Sequence, residues 1–423
     1  MYKSRMIPNP APSEKKLLGE RTLLLTLAAI QFTTVLDFII ILPLSSQYMR
    51  VFHITTDQFG LMVSAYAIAA GIAGIAASFF LDRFDRKQAL LWLYFGFGLG
   101  TLCCALAPTY HLLVAARFIS GAFGGLAGAL ILAIIGDVVP YERRGSAMGL
   151  VMSSFSISQI IGVPLGLVLA NYYDWHSPFF VIAALSGAIL FAVAKVLPSL
   201  RSHMEHASDK HPAAHMLAVL KEPDHQKAFL FMAVLMFAGF LVFPYLAAYM
   251  VSNVGMTERQ LPWIYLSGGV FTLFSMNLIG RWSDRSGKHR VFVWMSLAAL
   301  VPIVLLTNLR PVPLFEAVAA TTLMMICMSG RSVPAMAMIT GSVEARYRGG
   351  FMSINSSVQQ FSMAVAAYLG GHLLGQTKDG KITGFSTGGV LSAFCVVLCI
   401  YLARFLKPPA KKDAPEEVVM MEG

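Results

Sequence analysis

The feature that most constrains this chain is a series of about twelve apolar stretches, each of roughly 20 residues, separated by short charged loops. That length is what an α-helix needs to cross about 30 Å of hydrocarbon. The stretches lie at about 22–45, 59–81, 89–108, 112–137, 146–170, 177–197, 227–251, 260–282, 290–309, 314–340, 350–374 and 387–407. Strands of a membrane β-barrel would instead be about 10 residues long with alternating polarity. The sequence therefore predicts an all-α membrane protein with twelve transmembrane helices.

The composition excludes an ordinary soluble domain. Of the residues, 57% are hydrophobic and only 13% are charged, whereas soluble domains carry about 25% charge. We find no catalytic constellation, phosphate-binding loop or metal-ligand cluster in the sequence. We therefore expect a protein that is not an enzyme and that needs no cofactor or bound metal.

Lysine and arginine are distributed unevenly between the two sides of the predicted bundle. One set of loops carries only Arg50, Arg259, Arg310, Lys378 and Lys381, and most of the remaining cations lie in the other loops and the termini. Cytoplasmic loops retain positive charge, so both termini are expected in the cytoplasm of a bacterial cell, with the bundle in the inner membrane. This distribution accounts for the net charge of +10 without a nucleic-acid partner.

Two short signatures recur along the chain at nearly the same spacing. Asp82-Arg83 is followed by Asp284-Arg285, an offset of 284 minus 82, or 202, and Arg144-Gly145 is followed by Arg348-Gly349, an offset of 204. Duplicated bundles with the substrate site between them are common in transporters. We therefore predict a first six-helix bundle at 1–197, a cytoplasmic linker at 198–226, and a second six-helix bundle with a cytoplasmic tail at 227–423.

These residues resemble the major facilitator superfamily, and within it the 12-span drug:proton antiporter family near its sugar-efflux and arabinose-efflux-like branch. The first loop matches the family signature at Asp82, Arg83, Arg86 and Lys87 but has Ser78 and Asp85 where the family prefers glycine. The motif Gly162-Val163-Pro164-Leu165-Gly166 in span five is close to the one associated with exporters. The resemblance implies two pseudo-symmetric six-helix bundles, alternating access, efflux and a monomeric chain.

The same resemblance implies an inner gate. In the family, the loop aspartate, here Asp82, meets the start of span eleven near Gly349, and a loop arginine pairs with an acid that ends span four, here Asp137. The gate residues implied in this way are Asp82, Arg83, Arg86, Asp137, Asp284 and Arg285. The alternative interpretation is that these loops serve only to fix the topology.

Charged side chains within the spans are the main candidates for ion coupling, because an ionisable group at membrane depth is costly. Asp37 lies about 12 Å from one end of span one, and Arg117 lies about 9 Å into span four from the same side, at 1.5 Å per residue. The matching depths predict a proton-binding carboxylate tuned by the arginine, with a permanent structural ion pair as the alternative. Arg331 in span ten lacks an acid nearby in sequence. Its expected partner is an anionic substrate, water in the cavity or a helix end exposed by the break at Gly330 and Pro334, and the alternative is a structural contact to backbone carbonyls.

Polar and aromatic residues within the spans are candidates for a substrate cavity: Gln31, Tyr66, Gln159, Tyr245, Asn277, Arg331, Asn355 and Gln359. The resulting hypothesis is a secondary active transporter that exports a small organic molecule, a drug, sugar or metabolite, in exchange for protons. Its expected partners are the substrate, protons and membrane lipid. One alternative is an importer or facilitator for a sugar or organic anion, and another is a transporter-like receptor or lipid-handling protein.

Overall fold

The computed structural model describes residues 14–80, 83–140, 143–197, 199–200, 212–344, 347–377 and 379–406. The first part of the chain forms α1 (Glu14–Ile40), α2 (Ser45–Val51), α3 (Thr56–Phe80), α4 (Arg86–Leu106), α5 (Tyr110–Val138), α6 (Arg144–Ile157), α7 (Val163–Tyr172) and α8 (Ser177–Val196). The second part forms α9 (Pro212–Lys221), α10 (Pro223–Phe240), α11 (Leu246–Ser252), α12 (Leu261–Ser286), α13 (Lys288–Thr307), α14 (Leu314–Gly341), α15 (Arg348–Leu373), the two-residue antiparallel strands β1 (Gly375–Gln376) and β2 (Ile382–Thr383), and α16 (Phe385–Ala403). We call α1 to α8 the first helix set and α10 to α16 the second helix set.

The helices confirm the predicted all-α membrane fold. In the described part of the chain, 11 helical segments are long and apolar enough to cross a membrane. The remaining predicted span is α15, whose 26 residues have the required length. It is more polar than the others because it carries Asn355, Gln359, Gln360 and several serines.

The first and seventh predicted spans are each broken near one end, which the sequence analysis did not anticipate. In span one, α1 ends at Ile40 and α2 begins at Ser45, with Pro43 in the break. In span seven, α10 ends at Phe240 and α11 begins at Leu246, with Pro244 in the short 3-10 turn between them. Proline lacks an amide hydrogen and collides with the preceding helical turn. Both breaks therefore follow from a proline at a corresponding position of each repeat.

The hydrophobic core divides unequally between the two ends of the bundle. One cluster, the shared core, joins both helix sets and includes Ile40, Tyr48 and Phe59 with Tyr245, Leu246 and Ala366. Two other clusters lie almost wholly within one set each, around Leu27, Leu90 and Ile131 in the first and around Phe231, Phe292 and Ile354 in the second. The two sets therefore share a core at one end, whereas toward the other end each has a core of its own and α3 and α15 remain in contact, with the Ser353 hydroxyl 3.4 Å from the Gly74 carbonyl.

The predicted linker is partly helical. Helix α9 lies inside it, with Met216 and Val219 buried in the core of the second set, and α10 begins at Pro223 where 227 was predicted. His225 is also buried, between the rings of Tyr347 and Phe351. These apolar and aromatic contacts explain why a stretch that is polar on average folds onto the bundle. The rest of the linker, residues 198 and 201–211, lies outside the described residues.

Candidate substrate and proton site

Asp37 and Arg117 form an ion pair in the interior of the first helix set. The Asp37 Oδ2 atom lies 2.7 Å from Nη1 of Arg117, and both side chains are completely buried. Thr101 on α4 donates its hydroxyl hydrogen to the other carboxylate oxygen, Oδ1, at 3.1 Å. Three helices therefore supply one carboxylate, one guanidinium and one hydroxyl to a site closed to water.

Arg117 has a second bond that depends on the break in span one. Its Nη1 also donates to the backbone carbonyl of Asp37 at 3.0 Å. That carbonyl belongs to the last turn of α1, where carbonyl groups lack the following amide donors of a continuing helix. The Nε and Nη2 atoms of Arg117 are buried and make no hydrogen bond within the described chain. The guanidinium thus keeps donor capacity for another partner.

Tyr66 covers the arginine from α3. The guanidinium carbon of Arg117 lies 4.4 Å from the centroid of the Tyr66 ring, a cation–π contact. Glycines on α5 make this approach possible: a Cβ at Gly121 would lie 2.3 Å from the Tyr66 carbonyl oxygen, and one at Gly124 would lie 2.7 Å from its hydroxyl. The glycines therefore position the ring over the guanidinium.

The span-five motif packs against the same part of α1. A Cβ at Gly162 would lie 2.7 Å from Leu36, and one at Gly166 would lie 2.5 Å from Ile40, so each glycine receives an apolar side chain from beside Asp37. Pro164 follows a π-helical turn at Ser158–Gly162. Because proline cannot donate the backbone bond of a regular helix, the helix is locally rearranged where it contacts α1.

An aromatic row extends from this site to the second helix set. The Phe38 and Tyr66 ring centroids are 5.1 Å apart, and Phe38 also faces Phe240 of α10, with centroids 6.2 Å apart and ring planes inclined by 23°. Phe38 and Phe240 are only partly buried, whereas Asp37 beside Phe38 is completely buried. The row connects the ion pair to the boundary between the two sets.

Glu258 joins the two sets at the end with the shared core, which we call the Arg50 end. The Arg50 guanidinium holds both carboxylate oxygens, with Nη1–Oε1 at 2.9 Å and Nη2–Oε2 at 3.0 Å. Ser46 donates to Oε1 at 3.1 Å and Gln47 donates to Oε2 at 3.3 Å. Asn171 donates to the Glu258 backbone carbonyl at 3.2 Å. These five bonds from the first set to one residue of the second set form what we call the Glu258 clasp.

The first signature loop lies at the opposite end, which we call the Arg86 end. Arg86 Nε lies 3.0 Å from Asp137 Oδ2, so the acid at the end of α5 is paired with a loop arginine. Asp85, which stands where the family prefers glycine, caps α4 by accepting a hydrogen bond from the Lys87 amide at 2.9 Å. Its carboxylate also accepts bonds from the Ser199 hydroxyl and from the Leu200 amide.

Of the other predicted gate residues, those that the structure describes are exposed. Asp82 lies outside the described residues, and Arg83 is exposed. Asp284 and Arg285 in the second signature loop are also exposed, and neither forms an ion pair with any residue that the structure describes. Arg83 and its counterpart Arg285 are therefore alike in lying at the surface.

The predicted cavity residues are scattered. Tyr245 is buried, donates its hydroxyl hydrogen to the Ala367 carbonyl of α15, and has its ring 5.9 Å from that of Phe59 on α3, so it packs the two sets together. Asn277 is exposed and donates to the Leu273 carbonyl of its own helix at 3.2 Å. Gln31 and Asn355 are buried, and Gln159 and Gln359 are partly buried. Of these candidates, only Tyr66 contacts the Asp37–Arg117 pair through an observed ring contact.

Arg331 lies inside the second helix set. Its Nη2 atom donates to the Leu235 carbonyl on α10 at 3.1 Å, which is the backbone contact considered as one alternative. The side chain is 1% exposed, and Nε and Nη1 make no hydrogen bond within the described part of the chain. The structure places it apart from the Asp37–Arg117 pair, in a different helix set.

Sequence reasoning missed Thr101, Phe38, Phe240 and Glu258. Thr101 is a single hydroxyl in an apolar span, and Phe38 and Phe240 are two of 29 phenylalanines. The best available signal was Glu258, a lone acid in a short loop opposite the outer cation Arg50.

The family model of the Major Facilitator Superfamily matches residues 27–243 and 228–419. Two uncharacterized MFS-type transporters of Bacillus subtilis (strain 168) are similar over most of their length. YceJ is 26% identical over 390 residues, covering 91% of this chain and 96% of its own. YwfA is 27% identical over 376 residues, covering 87% of each chain.

Two solved structures share the fold at low sequence identity. A bacterial homolog of the human lysosomal transporter Spinster, in an inward-facing and occupied conformation, has a TM-score of 0.73 at 14% identity and covers 92% of this chain and 99% of its own. The nucleoside transporter NupG has a TM-score of 0.71 at 13% identity and covers 91% of this chain and 100% of its own. At this sequence identity the two structures show that the fold is shared.

Proposed function

Because this chain belongs to the major facilitator superfamily and is a multi-pass membrane transporter, we propose that it exports a small organic molecule in exchange for protons. In this proposal Asp37 binds the proton and Arg117 is its counter-charge. The observation that carries the proposal is the 2.7 Å ion pair between two completely buried side chains. The bacterial relatives favour the inner membrane as its location.

A buried pair of this kind can couple proton binding to a conformational change. Removing the charge of one partner leaves the other buried and uncompensated, which costs about 3–5 kcal/mol. Protonation of Asp37 would therefore be unfavourable unless Arg117 gained water or another partner. Its unpartnered Nε and Nη2 atoms are available for that partner. A proton would thus bind stably only in a conformation that opens the site.

The closed Arg50 end supports a particular order of steps. Positive-inside reasoning assigns the Arg50 end to the outside, and in the described structure both the shared core and the Glu258 clasp close that end. We infer that this conformation faces inward, with Asp37 ionised and ready for substrate to bind. Opening of the Arg50 end would then release substrate outside and admit a proton to Asp37.

The span-five motif favours export over import of the substrate. Gly162 and Gly166 hold α7 against Leu36 and Ile40, on either side of Asp37. A motif associated with exporters in the resembled family therefore braces the helix segment that bears the proposed proton site. The ion pair between Arg86 and Asp137 is proposed as part of the inner gate, which would tighten when the Arg50 end opens.

The proposal is tested with purified protein in lipid vesicles. A substrate is first found by ligand-induced thermal stabilisation across a chemically diverse panel, because a ligand that binds the folded state raises its apparent stability. Movement of that substrate is then measured with an imposed pH gradient. We expect substrate to move opposite to protons in the wild type.

Asp37→Asn should lose transport driven by the pH gradient while retaining substrate exchange at equal pH, because the amide keeps the shape but cannot take up a proton. The matched control is Asp224→Asn, which removes an exposed carboxylate paired with Lys227 and should transport normally. Full pH-driven transport by Asp37→Asn would exclude Asp37 as the proton site. Movement of substrate in the same direction as protons would exclude export.

A further inference from the structure

Tyr48 on α2 has a buried hydroxyl without a partner close to the Asp37–Arg117 pair. Its side chain is completely buried, with the ring centroid 5.2 Å from that of Trp175 and 6.3 Å from that of Phe52. The charges of Arg117 and Asp37 both act on its hydroxyl. That hydroxyl makes no hydrogen bond to any residue that the structure describes. A buried hydroxyl without a partner is costly, so its position beside the ion pair calls for an explanation.

The second helix set shows that the fold can satisfy a tyrosine at this position. Tyr48 follows Pro43 exactly as Tyr249 follows Pro244, with an offset of 201 for each pair (249 minus 48 and 244 minus 43). The Tyr249 hydroxyl donates to the Leu309 carbonyl at 3.0 Å. The hydroxyl is therefore left without a bond in the set that carries the ion pair and is bonded in the set that lacks it.

The unpartnered atoms of Arg117 and Tyr48 are complementary. Nε and Nη2 of Arg117 are buried donors without an acceptor among the described residues, and the oxygen of a tyrosine hydroxyl can accept hydrogen bonds. Besides Asp37 and Tyr48, the ionisable side chains that act on Arg117 are Cys104 and Tyr66. Each of these two already has a hydrogen bond elsewhere. Tyr48 is therefore the ionisable neighbour with a free acceptor for the arginine.

We propose that Tyr48 becomes the hydrogen-bond partner of Arg117 when Asp37 is protonated, with the guanidinium donating to the phenol oxygen. The inference rests on the proposed transport function and adds a residue that makes proton binding favourable. Protonation converts the Asp37 carboxylate into a neutral acid and weakens its bond to the guanidinium, because charge-assisted hydrogen bonds are the stronger ones. The bond to Tyr48 offsets that loss. Tyr48 itself neither gains nor loses a proton, so one proton is bound at the site.

Helix α2 links this change of partner to the gate at the Arg50 end. The break at Pro43 separates α2 from α1, and its seven residues carry three of the side chains that bind the Glu258 carboxylate. Tyr48 lies among them in the sequence. Opening of the Glu258 clasp releases α2 and lets the Tyr48 hydroxyl reach Arg117. Proton binding and opening of the gate therefore favour each other.

The test is a pH titration of Asp37 in the purified full chain in lipid nanodiscs. The carboxylic acid carbonyl band in the infrared spectrum reports protonation, and subtracting the spectrum of Asp37→Asn at the same pH isolates it. Tyr48→Phe should lower the midpoint of the titration by about one to two pH units, because only the protonated state loses a hydrogen bond to a charged group. Tyr249→Phe removes the corresponding hydroxyl of the second set and should keep the wild-type midpoint.

Thermal unfolding separates this role from a structural one. At a pH where Asp37 is ionised, Tyr48→Phe should melt at or above the wild-type temperature, because it keeps the ring and removes a buried hydroxyl that has no partner in the described chain. A lower melting temperature at that pH would overturn the proposal, since the hydroxyl would then stabilise the closed conformation. A midpoint in Tyr48→Phe equal to that of the wild type would overturn it as well, even if proton-driven export is observed.

The same titration keeps the two proposals apart. Absence of Asp37 protonation in the wild type would refute Asp37 as the proton site and, with it, the role of Tyr48. A lowered midpoint in Tyr48→Phe without proton-driven transport in the wild type would leave the role of Tyr48 in place and refute the proposed export.

Discussion

Arg50 and Glu258 form a two-point ion pair between the first and second helix sets, at 2.9 Å and 3.0 Å. The Arg50 side chain is 65% exposed, so solvent screens the charges and the pair alone contributes no more than about 1 kcal/mol. Ser46 and Gln47 add hydrogen bonds to the same carboxylate. In the proposed transport cycle the clasp would therefore favour the closed state over the open state by only a modest amount, as a gate that opens in each cycle requires.

Reversing one charge of the clasp should open the Arg50 end more often. We expect Glu258→Arg to increase the open population about twofold to fivefold, because an exposed ion pair of up to about 1 kcal/mol is replaced by repulsion. The measurement is the labelling rate of a cysteine placed at the buried position Ala248, using a membrane-impermeant maleimide and a background without the native cysteines. The combined Arg50→Glu and Glu258→Arg exchange should restore slow labelling, and fast labelling in that exchange would contradict a role for the ion pair.

Loss of one partner of the buried pair should destabilise the fold more than loss of both. Arg117→Met leaves the Asp37 carboxylate buried with Thr101 as a remaining donor, at a cost of about 3–5 kcal/mol. Asp37→Asn combined with Arg117→Met removes both charges, and much of the stability should return. Thermal unfolding of the purified wild type, Arg117→Met and the double variant checks this order. A double variant less stable than Arg117→Met would show that the pair contributes net stability through other contacts.

The glycines of α5 should differ sharply in their tolerance of alanine. Gly121→Ala places a methyl group 2.3 Å from the Tyr66 carbonyl oxygen, so the helices must separate, and we expect a loss of about 1–3 kcal/mol. Gly136→Ala on the same helix meets nothing within 4 Å and should be neutral or stabilising by up to about 1 kcal/mol, since alanine favours helices. Melting temperatures of the two variants provide the comparison. Equal effects would refute the close approach of α3 and α5.

Asp85 is expected to stabilise the Arg86 end through its bonds to backbone amides. Asp85→Ala removes the cap of α4 and the bond to the Leu200 amide, and loss of a helix cap costs about 0.5–2 kcal/mol. Asp85→Asn keeps an acceptor oxygen and should lose much less. Thermal unfolding of the two variants separates capping from charge. Equal destabilisation by both would indicate that the negative charge, and not the cap, is what matters.

The sequence by itself determined the membrane fold, because a segment of about 20 apolar residues has few stable alternatives to a helix in hydrocarbon. It also selected Asp37 and Arg117, since charges at membrane depth are costly and the two depths match. The broken first and seventh spans could have been suspected from Pro43 and Pro244. The sequence did not show whether each proline would break its helix or only bend it. That outcome depends on whether the carbonyl groups freed by the break find other hydrogen-bond donors, and the Asp37 carbonyl finds one in the Arg117 guanidinium.

Only the tertiary structure decided which residues meet across long distances in the chain. Phe38 and Phe240 are two phenylalanines among 29, and their facing rings depend on how the helix sets dock. The same docking brings Glu258 to Arg50. Arg331 stays within the second set, where it donates to the Leu235 carbonyl. Apolar periodicity specifies that helices form and bury a face, whereas the choice of neighbouring helices depends on close packing at glycines such as Gly121. That is why the charged pair could be selected from the sequence and the aromatic row beside it could not.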